Sequence, residues 1–344
     1  MTANVIYIYG IVPNFYSTEM FRSLENRGLA AIPFENMSAI VSEKDLSEID
    51  ILNVESLARL LVHHQKTIEE LQAIGFNIII PIKLGTTVSS KEEVFKIFSN
   101  GYGFVSEILR KIQFLTEIDI AVTWGDFPAM VKEIAEHPDV VALKEAISKG
   151  ADVPSRNDQM KAGILVQSKI KEKNSKIELN LLDILSSVSI DIKTHPVIDD
   201  QMVTNSAFLI NRNNQEKFER IIETFDTEYG GKLNFRLIGP LPCYSFFTLE
   251  VKKLIFDRVI EAEKELGLKE RSSEAEIKKA YLVKARLFHP DTNHESGSEA
   301  DFTRITEAYH TLLDYSLAMK QSFKGENVPD EKGIGDLILV KIKD

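Results

Sequence analysis

The chain has 344 residues, 44% hydrophobic and 27% charged, which suits two or three domains with buried cores under a soluble surface. A formal net charge of -11 argues against non-specific nucleic-acid binding across the whole surface. The single cysteine, Cys243, excludes an intrachain disulfide and fits a reducing cytoplasm. No basic n-region follows Met1, and the densest apolar run, residues 78–82, is far too short to cross a bilayer.

Residues 5–12 are rich in Ile, Val and Tyr and stop at Pro13, which predicts a strand. Residues 18–27 read as a short helix ended by Gly28, and 29–34 and 37–42 as two strands around Glu35-Asn36. A long helix is expected over 54–74, with Leu57, Leu60, Leu61, His64, Ile68 and Leu71 on its inner face and Gly75 as its stop. His63 and His64 are adjacent and cannot share one helical face, so one is expected at the core edge and the other in solvent. Residues 76–84 then return as a strand. The order β-α-β-β-α-β is that of the ferredoxin-like arrangement, in which right-handed crossovers put both helices on one face of a four-stranded sheet.

Residues 91–112 read as a helix interrupted at Gly101-Tyr102-Gly103. A strand is expected over 117–124, with Ile118, Ile120 and Val122 on one face and Trp124 in the core. Helices follow over 127–149, 158–187 and 214–229, with strands over 188–195, 202–211, 233–238 and 244–251. This allows a second β-α-β-β-α-β pattern with a much larger first crossover. Cys243 has no basic neighbour in sequence and reads as a buried small hydrophobe.

The most legible chemistry lies in residues 261–315. Ser273 and Glu276 have the spacing of a capping box. Ile277, Tyr281, Ala285 and Phe288 form one apolar stripe, while Lys278, Lys279 and Arg286 form a basic face away from it. Pro290 ends that helix. A next helix carries Phe302, Ile305, Tyr309 and Leu312 on one side. The two make an antiparallel hairpin with His289-Pro290-Asp291 at its mouth. Asp291, Asn293 and Glu295 imitate the start of a calcium loop, but Ser296 stands where glycine is needed and Phe302 where the bidentate Glu should be, so no metal site is expected. After a polar linker containing Pro329, residues 337–342 read as a last strand.

This region resembles a J-domain, the module that J-proteins use to engage DnaK-type chaperone ATPases. The matching residues are Leu266-Gly267-Leu268, Ile277-Lys278-Lys279-Ala280-Tyr281, His289-Pro290-Asp291-Thr292-Asn293, Phe302, and Ile305-Thr306-Glu307-Ala308-Tyr309. It departs from the family at Lys284, on the edge of the apolar stripe, at Lys264-Glu265, where an aromatic usually precedes Leu-Gly, and after Tyr315, where the fourth short basic helix is not evident. The resemblance implies that His289, Pro290, Asp291, Lys278, Lys279 and Arg286 contact the chaperone ATPase. The plain alternative is a helical hairpin whose His-Pro-Asp is merely a loop.

The first 250 residues resemble the gas vesicle protein family GvpL/GvpF. The pieces are Ile8-Tyr9-Gly10-Ile11-Val12, Ala39-Ile40-Val41-Ser42, His63-His64, Ile80-Pro81-Ile82-Lys83-Leu84-Gly85-Thr86 and Val122-Thr123-Trp124. The last are Met202-Val203-Thr204-Asn205-Ser206-Ala207-Phe208-Leu209-Ile210 and Gly239-Pro240-Leu241-Pro242-Cys243-Tyr244-Ser245-Phe246, in which Leu241 replaces a family tryptophan and Cys243 a proline. Lys83-Leu84-Gly85 stands where the family often has Arg-Phe-Gly. The resemblance implies family roles, in shell-protein contact or in structure, for Gly10, Pro81, Gly85, Gly239, Pro240, Pro242, Tyr244 and Phe246. Each also has a plain reading as a turn or strand-end residue.

The expected architecture is α+β, with two ferredoxin-like domains over 1–115 and 116–252, J-domain-like helices over 253–322, and a linker and strand over 323–344. The expected role is a gas vesicle assembly protein, accessory or minor structural, that binds the hydrophobic shell protein and recruits a DnaK-type chaperone. The alternative is a purely structural vesicle component with a degenerate J-like docking module. Expected partners are the shell protein, other gas vesicle accessory proteins and the chaperone ATPase, with no nucleic acid and no membrane, in a cytoplasmic, vesicle-associated setting. No catalytic residue or cofactor is expected: no Gly-rich phosphate loop, zinc-spaced Cys/His set or nucleophile elbow occurs.

Overall fold

The computed structural model describes residues 4–49, 52–150, 155–269, 272–288, 299–322 and 336–343. Contacts divide the chain into two compact units, Met1–Lys111 with Phe247–Asp344, and Ile112–Phe246.

The first unit begins with β1 (Asn4–Pro13), α1 (Thr18–Arg22), a single 3-10 turn, Glu25–Arg27, β2 (Ala30–Phe34), β3 (Met37–Asp45) and α2 (Val54–Ile74). Then come β4 (Ile80–Pro81), β5 (Thr87–Val88) and α3 (Lys91–Ile112). The sheet runs β2-β3-β1-β4, with β5 also on β1, and every pairing is antiparallel. Asn53 caps α2 by accepting from the N–H groups of Glu55 and Ser56, and Gly75 ends it at φ 116°. The strand expected over 76–84 shrinks to Ile80–Pro81, because Pro81 has no N–H to give the ladder. Pairing resumes at Thr87–Val88 after a turn at Gly85, whose φ of 84° suits glycine. The interruption expected in α3 is absent. Gly101 lies inside a continuous helix because Val340 packs there: a Cβ on Gly101 would fall 2.9 Å from Val340 Cβ and Cγ2.

The second unit holds β6 (Leu115–Trp124), α4 (Phe127–Ala135), α5 (Pro138–Gly150), α6 (Arg156–Ser186), β7 (Ser189–Thr194), β8 (Met202–Asn211), α7 (Gln215–Glu228), β9 (Leu233–Leu241) and α8 (Tyr244–Phe247). Its sheet is antiparallel throughout in the order β7-β8-β6-β9, and the first crossover carries three helices. The single helix expected over 127–149 divides before Pro138, which pushes His137 out of the α region. Ile118, Ile120, Val122 and Trp124 face a core with Leu181, Leu185, Phe208, Phe218 and Phe225. Trp124 Nε1 donates to Asn174 Oδ1 at 2.8 Å, which satisfies two buried polar groups at once.

The strand expected over 244–251 does not join this sheet. Residues Tyr244–Phe247 form α8, and β10 (Leu249–Leu254) follows in the first unit. After β10 come α9 (Phe256–Leu266), α10 (Glu274–Phe288), α11 (Glu299–Ser322) and β11 (Leu337–Ile342). β10 pairs antiparallel with β11 from Leu249↔Ile342 to Leu254↔Leu337, and a parallel bridge joins Leu249 to Ile82. The fold is mixed α/β with antiparallel sheets and a C-terminal helical region.

Candidate functional site

Helices α9 to α11 have a core of their own, built from Val259, Ala262, Leu266, Ile277, Ile305, Ala308 and Leu312. Tyr281 stacks on Tyr309 at 4.2 Å between ring centroids, which sets α10 against α11. The capping box forms: Ser273 N–H donates to Glu276 Oε2 at 2.8 Å, and Glu276 N–H to Ser273 Oγ at 3.3 Å. Lys284, which breaks the apolar stripe, donates its ammonium to the Glu265 carbonyl near the end of α9. It thereby satisfies a helix-terminal acceptor and places a cation at the negative end of that helix. Lys278, Lys279 and Arg286 are exposed on α10. Beside them Leu282, Val283 and Leu287 remain about half-exposed, so the face is basic with an apolar strip. His289, Pro290 and Asp291 lie outside the described residues.

The module is fastened to the body on both flanks. α11 runs past Tyr315 to Ser322, and Ala318 is fully buried against Leu254 and Leu339. Gln321 Nε2 donates to the Val340 carbonyl at 2.7 Å, and Val340 N–H returns a bond to Gln321 Oε1 at 3.3 Å. β11 is the next described element after α11. Asp314 accepts from Lys252 of β10 at 2.7 Å and from Lys341 of β11 at 3.0 Å. Burial pushes its carboxyl up, but the hydrogen bonds and charges of the two lysines outweigh this and hold it below its ordinary value. Within the same unit Lys253 pairs with Glu93 of α3, and Lys83 with Glu250 of β10.

The family-motif residues fall into two clusters. In the first unit Gly10 of β1 faces Pro81 of β4, so close that a Cβ on Gly10 would lie 2.9 Å from the Ile80 carbonyl oxygen. Gly85 N–H donates to the Tyr7 hydroxyl at 3.3 Å, and that hydroxyl bonds His64 Nδ1 at 2.8 Å. The Tyr9 hydroxyl meets His63 Nε2 at 3.0 Å and Ser42 Oγ at 3.1 Å. The expected division holds in burial, His64 being buried and His63 exposed. Both rings nevertheless bond tyrosines of β1. Burial, with a smaller contribution from His63, lowers His64 to about 4, so the ring is neutral. Burial raises the Tyr7 phenol to about 12, against the opposing Gly85 N–H.

In the second unit the chain leaves β9 after Leu241 and brings Ser245 onto Glu117 of β6. Glu117 accepts there from Ser245 N–H and Ser245 Oγ, both at 2.8 Å, and Ser245 Oγ lies 3.3 Å from His195 Nε2. Phe246 is buried, with Lys193 Nζ 5.7 Å from its ring centroid. A Cβ on Gly239 would lie 3.0 Å from the Glu117 carbonyl oxygen. Pro240 sits in β9, an edge strand, where a missing N–H is tolerated. Pro242 is buried and Tyr244 half-buried. Burial pushes the Glu117 carboxyl up to about 8; Ser245 N–H opposes this and the Asp119 charge adds to it. Burial, with the Glu117 charge, pushes the Cys243 thiol up to about 12, which keeps it inert. Sequence reasoning missed Glu117 and Asp119. Their alternation with Ile118 and Ile120 marks a solvated face, and Ser245, from far along the chain, comes to cover Glu117.

These elements define an α/β body on two antiparallel sheets that carries a helical module with an exposed basic face. The chain belongs to the gas vesicle synthesis protein GvpL/GvpF family, whose model matches residues 5–248. The DnaJ domain model matches residues 264–318. Gas vesicle protein F of Dolichospermum flosaquae is 24% identical over 259 residues, spanning 71% of this chain and 98% of that protein. Chaperone protein DnaJ of Limosilactobacillus fermentum is 57% identical over 49 residues, which are 14% of this chain and 13% of that protein. The crystal structure of gas vesicle protein GvpF from Anabaena sp. PCC7120 superposes with a TM-score of 0.60 at 18% identity, covering 72% of this chain and 99% of that one, a likeness of fold.

Proposed function

We propose that this protein is a gas vesicle assembly factor whose body binds the hydrophobic shell protein and whose residues 253–322 recruit a DnaK-type chaperone ATPase. The observation that carries the reading is the exposed face of Lys278, Lys279 and Arg286 on a DnaJ-matching module, fastened by β10 and β11 to a GvpL/GvpF body. Small apolar shell subunits need protection before they polymerise. A module held on the body that binds them raises the local concentration of the ATPase beside them. In this reading Lys278, Lys279 and Arg286 steer to an acidic surface of the ATPase. His289, Pro290 and Asp291 couple docking to ATP hydrolysis, and the chemistry happens in the partner. The family-motif residues Gly10, Pro81, Gly85, Gly239, Pro240, Pro242, Tyr244 and Phe246 set the backbone of the body and thereby the surface offered to the shell protein. The protein works in the cytoplasm, at the vesicle, beside other gas vesicle accessory proteins.

The test is the single-turnover ATPase rate of a DnaK-type chaperone with the wild-type chain and with Asp291→Asn. The reading expects stimulation by the wild type and at least about a tenfold smaller effect from the variant. Equal rates would leave only the structural vesicle component.

A further inference from the structure

The crossover from β1 to β2 is brief, a five-residue α1 and one 3-10 turn, and beside α2 a cavity of about 380 Å³ opens in the first unit. That volume lies at the small-molecule end of ligand pockets. Its floor is polar and already ordered: the Tyr9 hydroxyl bonds Ser42 Oγ at 3.1 Å and His63 Nε2 at 3.0 Å. Arg27 from the 3-10 turn and Lys66 from α2 line the rim, joined by Lys44 from β3. Glu43 and Glu70 line the same cavity.

Arg27, Lys66, Glu43 and Glu70 form no ion pair among the described residues, and Arg27 spends a guanidinium N–H on the Ser23 carbonyl. Lys66 and Glu70 stand four residues apart on α2, a spacing that often pairs, and still do not meet. Cations and carboxylates kept apart around one polar concavity suit a ligand that carries both signs.

We propose that this cavity is a binding site for a small zwitterionic phosphate ester. The phosphate would sit against Arg27 and Lys66, where charge-assisted hydrogen bonds are strongest, and the ammonium against Glu43 and Glu70. The site is separate from the basic face of α10 and does not depend on chaperone recruitment.

Isothermal titration of the full chain with phosphoethanolamine and with inorganic phosphate, at constant ionic strength, tests it. The expected result is saturable one-site binding of phosphoethanolamine, at least about tenfold tighter than phosphate, a difference of about 1.4 kcal/mol. Lys66→Gln weakens both probes about tenfold. Glu70→Gln weakens phosphoethanolamine alone and leaves phosphate unchanged or tighter. Both positions are on the outside of α2, so thermal unfolding without ligand should match the wild type. No saturable binding, equal affinity for the two probes, or variants that bind like the wild type each overturns the assignment.

Discussion

Replacing Glu117 with Gln should flatten the pH dependence of stability in the Ile112–Phe246 unit. The Glu117 carboxyl is 1% exposed and accepts two bonds from Ser245. Its value is raised from 4.5 to about 8, chiefly by burial. The folded state therefore holds the proton more tightly than the unfolded chain. The stabilisation is fully present below about 4.5 and is lost as pH rises through about 8. At about 1.4 kcal/mol for each tenfold difference in proton affinity between the folded and unfolded chain, the loss between roughly pH 5 and pH 8 is on the order of 3 kcal/mol. A glutamine keeps an acceptor for Ser245 and can donate its amide to Asp119 without any charge to bury. Asp119, itself raised by burial, leaves a slope of the same sign. Trp124, the single tryptophan, lies on the same strand, so its fluorescence in urea titrations at several pH values follows this unit. The variant should be more stable than the wild type at pH 8 by about 3 kcal/mol and nearly level with it at pH 5. An identical slope in both proteins would refute the assignment of the proton to this carboxyl.

Three further outcomes follow from the packing. Gly101→Val drives a side chain into Val340, and the overlap should cost about 1–3 kcal/mol and speed hydrogen exchange of the β11 amides; unchanged exchange would contradict the contact. Asp314→Asn removes the anion between Lys252 and Lys341 and should cost about 2 kcal/mol by chemical denaturation. The wild-type carboxylate is held below its ordinary 3.8, so its contribution is present above that value and is lost as pH falls through the lower folded one; the variant should lack this acid limb. His64→Ala leaves the Tyr7 hydroxyl without its ring partner and opens a cavity, for a loss of about 2–4 kcal/mol by circular dichroism. Because His64 is lowered to about 4, the wild type should also weaken as pH falls from 6.5 through 4, and the variant less so.

Local chemistry made some elements readable from the chain alone. α2 and α10 have caps and apolar stripes that need no tertiary help, and the Ser273–Glu276 box forms as spaced. The basic face of α10 was legible for the same reason. Other features depend on segments far away in sequence. The glycines of α3 look like a break until β11 arrives against Gly101. Residues 249–254 have the alternation of a sheet strand, but their partner lies beyond α11, across residues that carry no pairing signal. Lys284 reads as a flaw in the stripe until the α9 carbonyl of Glu265 is beside it. Glu117 reads as solvated because a strand pattern reports which face a residue takes and not what later covers that face.

The account rests on one chain joining shell-subunit recognition to chaperone recruitment. The most direct test is capture of the tagged full-length protein from its native host, with probing for the gas vesicle shell subunit and for the DnaK-type chaperone. Wild type should bring down both, and a Lys278→Glu, Lys279→Glu double variant should keep the shell subunit and lose most of the chaperone. Recovery of the chaperone undiminished by the double variant, or absence of the shell subunit from the wild-type capture, would contradict it.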